Sequence, residues 1–534
     1  MKKQYSFLIL MLFGYLNQIL VNGQTIQPIE RTIGKLHISI DPRMEILSAI
    51  QLLTYHPGQD RNLPYSKDML NYFEPFLSLE AATMTSALMQ EYGFGRDAPV
   101  SFMLYLSQPL ELEQRIEFAY HLKERSGGGD NLEQYRGAIK QFAETSNFEA
   151  FWNSKIPYYN QILDLTIANI GERDLVMVLE DYFNDTKDGF NIIIIPSFSG
   201  GVGASITDAD GKEKIYACFQ DGADLFYLVW HEFGHSYVNP VTAKYHDRLE
   251  PLDNLFEPIM SLMGRQGYIN SETCVNEHVI RAVGVRLYEL HLGSQQAKAL
   301  LEKELLEGFI YIEPLIEKLK EFENQRDKNN VTFLEFYPEL LNVLDSLLSI
   351  EEYWKQFDLN FKGPIYGSIF DPKIAFIYPT YDLDTDILKI AREVASQIYD
   401  LFLNFKECIL LADTTALKTD LSKYGIMAYG TIESNLFLKR FAYGFPFKIE
   451  NQTIYADKEY TDKDLKFITC APNPFNPLKG MTIHTALSNR AIQGINEAYL
   501  TNDFEFLSND YILFLNRETV ISNGFYKKDE KWTF

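Results

Sequence analysis

Leu228-Val229-Trp230-His231-Glu232-Phe233-Gly234-His235-Ser236-Tyr237 is the stretch from which the fold is read. On a helix, residues four apart share a face, so His231 and His235 can turn both imidazoles toward one cation while Glu232 sits beside it without ligating. Two neutral nitrogen ligands, with a carboxylate placed to take a proton from an attacking water, are what metal-assisted hydrolysis needs. The chain has nine His and 73 acidic residues in 534. A shuffled chain of that composition gives H-E/D-x-x-H at most about two times in a hundred. The competing reading is a surface helix carrying two solvated histidines. Against it, Phe226-Tyr227-Leu228-Val229-Trp230 and Tyr237-Val238 are apolar and aromatic, which predicts a buried helix. A buried His-Glu-His needs a partner, and a metal supplies one.

A helical zinc site needs a third protein ligand and an open vertex. Two carboxylates compete. Glu257 follows His235 after 21 intervening residues, but Pro258 comes next and disfavours helical geometry there. Glu277 follows after 41, within Asn276-Glu277-His278-Val279-Ile280-Arg281, a convincing helix. Arg281 stands one turn further on, where it can orient the carboxylate, so Glu277 is the expected ligand. Upstream, Asn191-Ile192-Ile193-Ile194-Ile195-Pro196 and Ile215-Tyr216-Ala217-Cys218-Phe219 read as strands. Between them, Gly201, Val202, Gly203 and Ala204 form either an edge strand that pairs with an extended peptide or an ordinary glycine-rich turn.

His231-Glu232-Phe233-Gly234-His235, two strands before it and Glu277 on a later helix together resemble the gluzincin clan of zinc metallopeptidases. The resemblance covers roughly residues 190 to 290. It implies a zincin-like α+β domain that hydrolyses peptide bonds, with His231, His235 and Glu277 holding Zn2+ and Glu232 as general base. Beyond the ligand pattern, the chain resembles a poorly characterised family of secreted bacterial proteins with this signature. The gap to Glu277 is longer than in thermolysin-like enzymes. The metzincin extension is absent, Val238 and Val241 standing where its glycine and third histidine would be. Gluzincins often add a Tyr or His that steadies the oxyanion; Tyr311 and Tyr337 are candidates here, each with a core aromatic as the alternative. His278 would point about 100° from Glu277 and serve structure or surface. A Cys218–Cys274 bridge could brace the site.

The chain opens Met1-Lys2-Lys3, continues through Phe7-Leu8-Ile9-Leu10-Met11-Leu12-Phe13 and reaches Val21-Asn22-Gly23, a pattern that predicts a signal peptide over residues 1–23. Gly14, Asn17 and Gln18 interrupt it before the ~20 residues needed for a span. The expected address is therefore extracytoplasmic, secreted or periplasmic, with no membrane span in the mature chain. A net charge of −24 argues against nucleic acid and anionic membrane as partners. A peptide or protein substrate is the expected partner, and the sequence says nothing of oligomeric state. Residues 24–188 read as a mostly helical region, 189–360 as the catalytic domain and 365–534 as a C-terminal α/β domain in which alternating strand and helix predict a parallel sheet. A different class of function stays open: a non-catalytic extracytoplasmic binding protein that retains a metallopeptidase fold. So does attack on a non-peptide amide or ester.

Overall fold

The computed structural model describes residues 26–534 other than 96, 172, 188, 209, 349–350, 383–384, 404–405, 500–505, 517–518 and 529–531. The expected signal peptide lies outside the described residues. The chain divides into two compact units, residues 1–236 and 237–534. The division falls inside the helix that carries the H-E-x-x-H motif.

In the first unit, β1 (Ile29–Ile33) and β2 (Leu36–Ile40) lead into helix α1 (Pro42–Leu53). Asp41 starts that helix by accepting a hydrogen bond from Arg43 N at 2.9 Å, with Pro42 supplying the preset first turn. Every residue of α1 is buried. Further helices follow, among them α2 (Phe148–Ile170), before the chain returns to β3 (Phe190–Ile194), β4 (Gly201–Thr207) and β5 (Glu213–Phe219). Among the described residues these strands make a five-stranded sheet in the order β1-β2-β3-β5-β4. β2, β3 and β5 run parallel; β1 and β4 are antiparallel edges. The sheet therefore takes strands from both sides of residue 188, and the helical run is the connection between β2 and β3. Parallel neighbours need such a crossover, and Leu36, Ile38 and Ile40 of β2 are buried.

Helix α3 (Leu225–Lys244) carries the motif. Its first half packs on the sheet, the rings of Phe233 and Phe190 lying 4.6 Å apart, and the Trp230 indole donates to Leu175 O at 3.3 Å. The helix does not stop at Pro240 but runs on to Lys244. Proline loses its own N–H bond and crowds the carbonyl four residues back, and the helix continues for only about one turn beyond it.

The second unit holds α4 (Ser271–His291) and α5 (Ser294–Leu306). Asn270 begins α4 through a capping box, accepting from Thr273 N at 2.9 Å while Thr273 Oγ1 accepts from Asn270 N at 3.4 Å. Further on come β6 (Lys373–Tyr378), α6 (Thr385–Phe402), β7 (Glu407–Ala412) and β8 (Gly425–Tyr429). A small sheet of β9 (Lys448–Glu450), β10 (Thr453–Tyr455) and β11 (Glu459–Tyr460) follows. The chain then forms β12 (Lys466–Asn473), β13 (Asn476–Ala486), β14 (Tyr511–Asn516) and β15 (Thr519–Gly524). The large sheet has the order β15-β14-β12-β13-β8-β6-β7. It is mixed rather than parallel. β13, β8, β6 and β7 are parallel, but β12 pairs antiparallel with both β13 and β14. Only two residues separate β12 from β13, too few for a crossover. Both faces are covered: Ala375 and Ile377 pack with Phe437 and Phe467, while Ile374 and Phe376 pack with Val394 and Ile398. No described helix is long and apolar enough to cross a membrane.

Candidate metal centre

The helical spacing of His231 and His235 puts their rings 5.0 Å apart at 88°, with Tyr227 stacked on His231 one turn earlier at 5.6 Å. His231 is 8% exposed and Glu277, in the second turn of α4, is 4% exposed. One ligand atom from each of His231, His235 and Glu277 lies within 4.8 Å of the other two. On a tetrahedral ion such atoms stand about 3.4 Å apart, so the group is close to coordination spacing. Glu257, the competing carboxylate, is not in the group; it is exposed in a short 3-10 turn.

Glu277 is held from behind. Arg281 Nε donates to Glu277 Oε2 at 3.2 Å, and the Tyr268 hydroxyl also hydrogen-bonds Glu277. Arg281 in turn pairs with Glu304, which has no exposed surface, lies 3.6 Å from Glu307 and stacks 3.8 Å from the Phe309 ring centre. Burial pushes the Tyr268 hydroxyl above its ordinary pKa, with the Glu277 charge next in weight. It therefore stays protonated and can donate. Tyr268 and Glu304 carry no ligand spacing and come together with Glu277 only through tertiary folding. Arg281 had a local signal, one helical turn, and they had none.

Glu232 lies beside the sheet's edge. A Cβ built on Gly203 would sit 2.9 Å from Glu232 Oε2, so β4 reaches the carboxylate at a residue without a side chain. The segment with Gly201, Val202, Gly203 and Ala204 is thus a strand, not a turn, and its outer edge has no paired strand among the described residues.

Several expected residues lie elsewhere. Tyr311 is fully buried and its hydroxyl donates to Leu255 O at 2.5 Å and accepts from Trp354 Nε1 at 2.7 Å, so it is committed to the core and not to an oxyanion. Tyr337 is likewise buried, bonded to Thr242. Cys218 and Cys274 do not form a bridge: all four cysteines are free, and burial pushes the Cys218 and Cys274 thiols up, which keeps them protonated. His278 is fully buried, its Nδ1 2.7 Å from Cys274 O, and lowered to a pKa of about 3 by burial, a structural histidine.

The site belongs to the class of two-histidine, one-carboxylate groups that could hold a divalent cation beside a further carboxylate. The chain itself belongs to the DUF4932 family, a domain of unknown function whose model matches residues 36–343, more than half its length and including His231, Glu232, His235 and Glu277. Neither a curated protein nor a solved structure matches it.

Proposed function

We propose that this chain is an exported zinc-dependent peptidase of zincin-like fold. The observation that carries the reading is the gathering of His231, His235 and Glu277 within 4.8 Å, with Glu232 next in sequence to His231 and lying against the edge strand β4. The donor set suits zinc, two imidazole nitrogens and one carboxylate leaving a vertex open. Charge supports a cation as well. Arg281 is shared between Glu277 and Glu304, both buried, and a divalent ion at Glu277 offsets the excess negative charge.

When bound, the ion would polarise the scissile carbonyl and lower the pKa of an attacking water. The chain's own groups do the rest. An extended substrate pairs with the outer edge of β4, main chain to main chain, which lays its backbone beside Glu232. Glu232 accepts the proton of the attacking water and returns it to the leaving amine. Arg281 and Tyr268 fix the Glu277 carboxylate so that it does not have to reorganise as charge develops.

Glu232→Gln tests this. The variant is expected to keep its metal, read by elemental analysis, and to lose turnover of a peptide library by about 10²-fold or more. Undiminished cleavage by a metal-loaded Glu232→Gln protein sinks the mechanism.

A further inference from the structure

Where β5 ends at Phe219, the turn Gln220-Asp221-Gly222-Ala223-Asp224 carries the chain into α3. Beside it is a cavity of about 460 Å³, within the range that holds small ligands or one to two residues of a peptide. Its walls are largely apolar, from Leu165 and Ile170 of α2, Ile194 at the end of β3 and Phe226 in the first turn of α3. Asp221 lines its mouth and is exposed to solvent, with no cation paired to it among the described residues. Burial raises its carboxyl above the ordinary value.

The N-terminus of a helix attracts anions, but here that demand is already met. Asp224 accepts from Phe226 N at 3.1 Å and Tyr227 N at 3.3 Å, filling the first-turn donors with a carboxylate of its own. Arg173 stands 5.2 Å from the Phe226 ring centre and does not pair with Asp221. An aliphatic wall rimmed by two carboxylates, Asp221 and the helix-capping Asp224, suits a positive charge on an apolar stem, the chemistry of arginine and lysine side chains.

Two rulers tie the cavity to the candidate metal centre. Along α3, Asp224 precedes His231 by two turns on one face, about 10 Å. Along β4, Gly200 is bonded to Gln220, its N–H donating to Gln220 Oε1 at 3.1 Å, while Gly203 lies against Glu232. Three strand residues span about 10 Å. The two lengths agree: a peptide laid along β4 with its reacting carbonyl at Glu232 has a side chain about three residues away at the mouth of the cavity.

We propose that this cavity is a specificity subsite for an arginine or lysine side chain about three residues from the cleaved bond, with Asp221 as the residue that reads its charge. The inference rests on the peptidase reading for its place in a reaction, and on the cavity alone for its ligand chemistry. Two measurements separate these. Acetyl-arginine amide is expected to bind the metal-free protein about fivefold more tightly than acetyl-citrulline amide, its neutral isostere, as followed by NMR titration. Asp221→Asn is expected to erase the difference, and Asp221→Glu to keep it. Equal binding of the two amides, or a difference that survives Asp221→Asn, overturns the assignment. In turnover of a peptide library by the metal-loaded protein, Arg and Lys are expected to be enriched at one position about three residues from the cut and to lose that enrichment in Asp221→Asn. Cleavage without such a preference also overturns it. If no peptide is cut while the binding difference holds, the peptidase reading falls and the cation cavity stands.

Discussion

A Cβ at Gly203 would meet a single atom within 4 Å, Glu232 Oε2 at 2.9 Å, so a side chain there has to push that carboxylate aside. Gly203→Val is therefore expected to displace the carboxylate and lower turnover by about 10²-fold, the scale of a general base, while elemental analysis finds the metal retained. Arg281 acts through a different group. Removing it in Arg281→Ala leaves Glu277 and Glu304 facing each other in the interior, a loss of about 3 kcal/mol or more in denaturant unfolding, and weakens metal binding by about 10-fold to 100-fold. Arg281→Met combined with Glu304→Met removes the buried pair together and is expected to recover most of the stability but not the metal affinity. Recovery of both would make Arg281 a merely structural residue. These two residues also mark what a sequence can say of a site. The H-E-x-x-H pair and the Glu277–Arg281 pair are each one helical turn, so their geometry is written in their spacing. Tyr268 and Glu304 approach Glu277 across tertiary contacts, and no spacing encodes that. Tyr311 stayed open between core and site because an aromatic in an apolar run reads the same whether its hydroxyl points to a core carbonyl or to a substrate; in the fold it points to Leu255 O.

The helix α4 delivers Glu277 from its second turn, so the quality of its start matters to the ligand. Asn270 satisfies Thr273 N and is in turn served by Thr273 Oγ1. Asn270→Ala is expected to cost about 1 kcal/mol of stability and, because the first turn frays, to weaken metal binding measurably; Asn270→Ser should restore both. Unchanged metal affinity in a destabilised Asn270→Ala protein would show that the turn bearing Glu277 is held by packing alone. At this scale the sequence was readable where period and punctuation agree. β2, β3 and β5 are apolar runs that start or stop at turn residues, and α4 and α6 have apolar spacing of helical period. It was least readable in the second large sheet. β13 begins Asn476-Pro477-Leu478-Lys479-Gly480, a stretch with the marks of a loop, and it is strand because β12 pairs with it, Asn473 opposite Asn476 and Pro472 opposite Gly480, before β8 joins on the other side from Met481 on. Alternating strand and helix pointed to the parallel pairing found among β6, β7 and β8, though not to their order, and the antiparallel half depends on a two-residue connection whose meaning appears only once the strands are paired.

Across the whole chain, buried titratable groups set how the two units respond to acid, and they do not respond alike. In the first unit, burial lowers His56 to about 4 and raises Glu45, hydrogen-bonded to the Tyr65 and Tyr159 hydroxyls, to about 7. From pH 7 to pH 5 the unfolded chain gains a proton on its histidine that folded His56 does not accept, a loss of about 2 kcal/mol. Over the same window folded Glu45 takes up a proton that an unfolded glutamate, with its ordinary value of 4.5, still refuses, a gain of about 2 kcal/mol. The two nearly cancel. In the second unit, His484 is fully buried against Tyr429, ring centres 4.0 Å apart, and burial lowers it to about 3; His278, also lowered to about 3, acts in the same sense. Each is worth about 2 kcal/mol lost between pH 7 and pH 5, while Asp371, raised by burial, works the other way. Residues 237–534 are therefore expected to lose stability on acidification before residues 26–236 do. Hydrogen exchange at the two pH values, corrected for intrinsic rates, should show protection falling in β8 and β13 while β2 and β3 keep theirs. In His484→Gln, which can hold the Tyr499 hydroxyl but cannot titrate, the fall at β8 and β13 should shrink by about 2 kcal/mol. Equal losses in both units, or a His484→Gln protein as acid-sensitive as the parent, would mean that surface charge and not these buried rings governs the response.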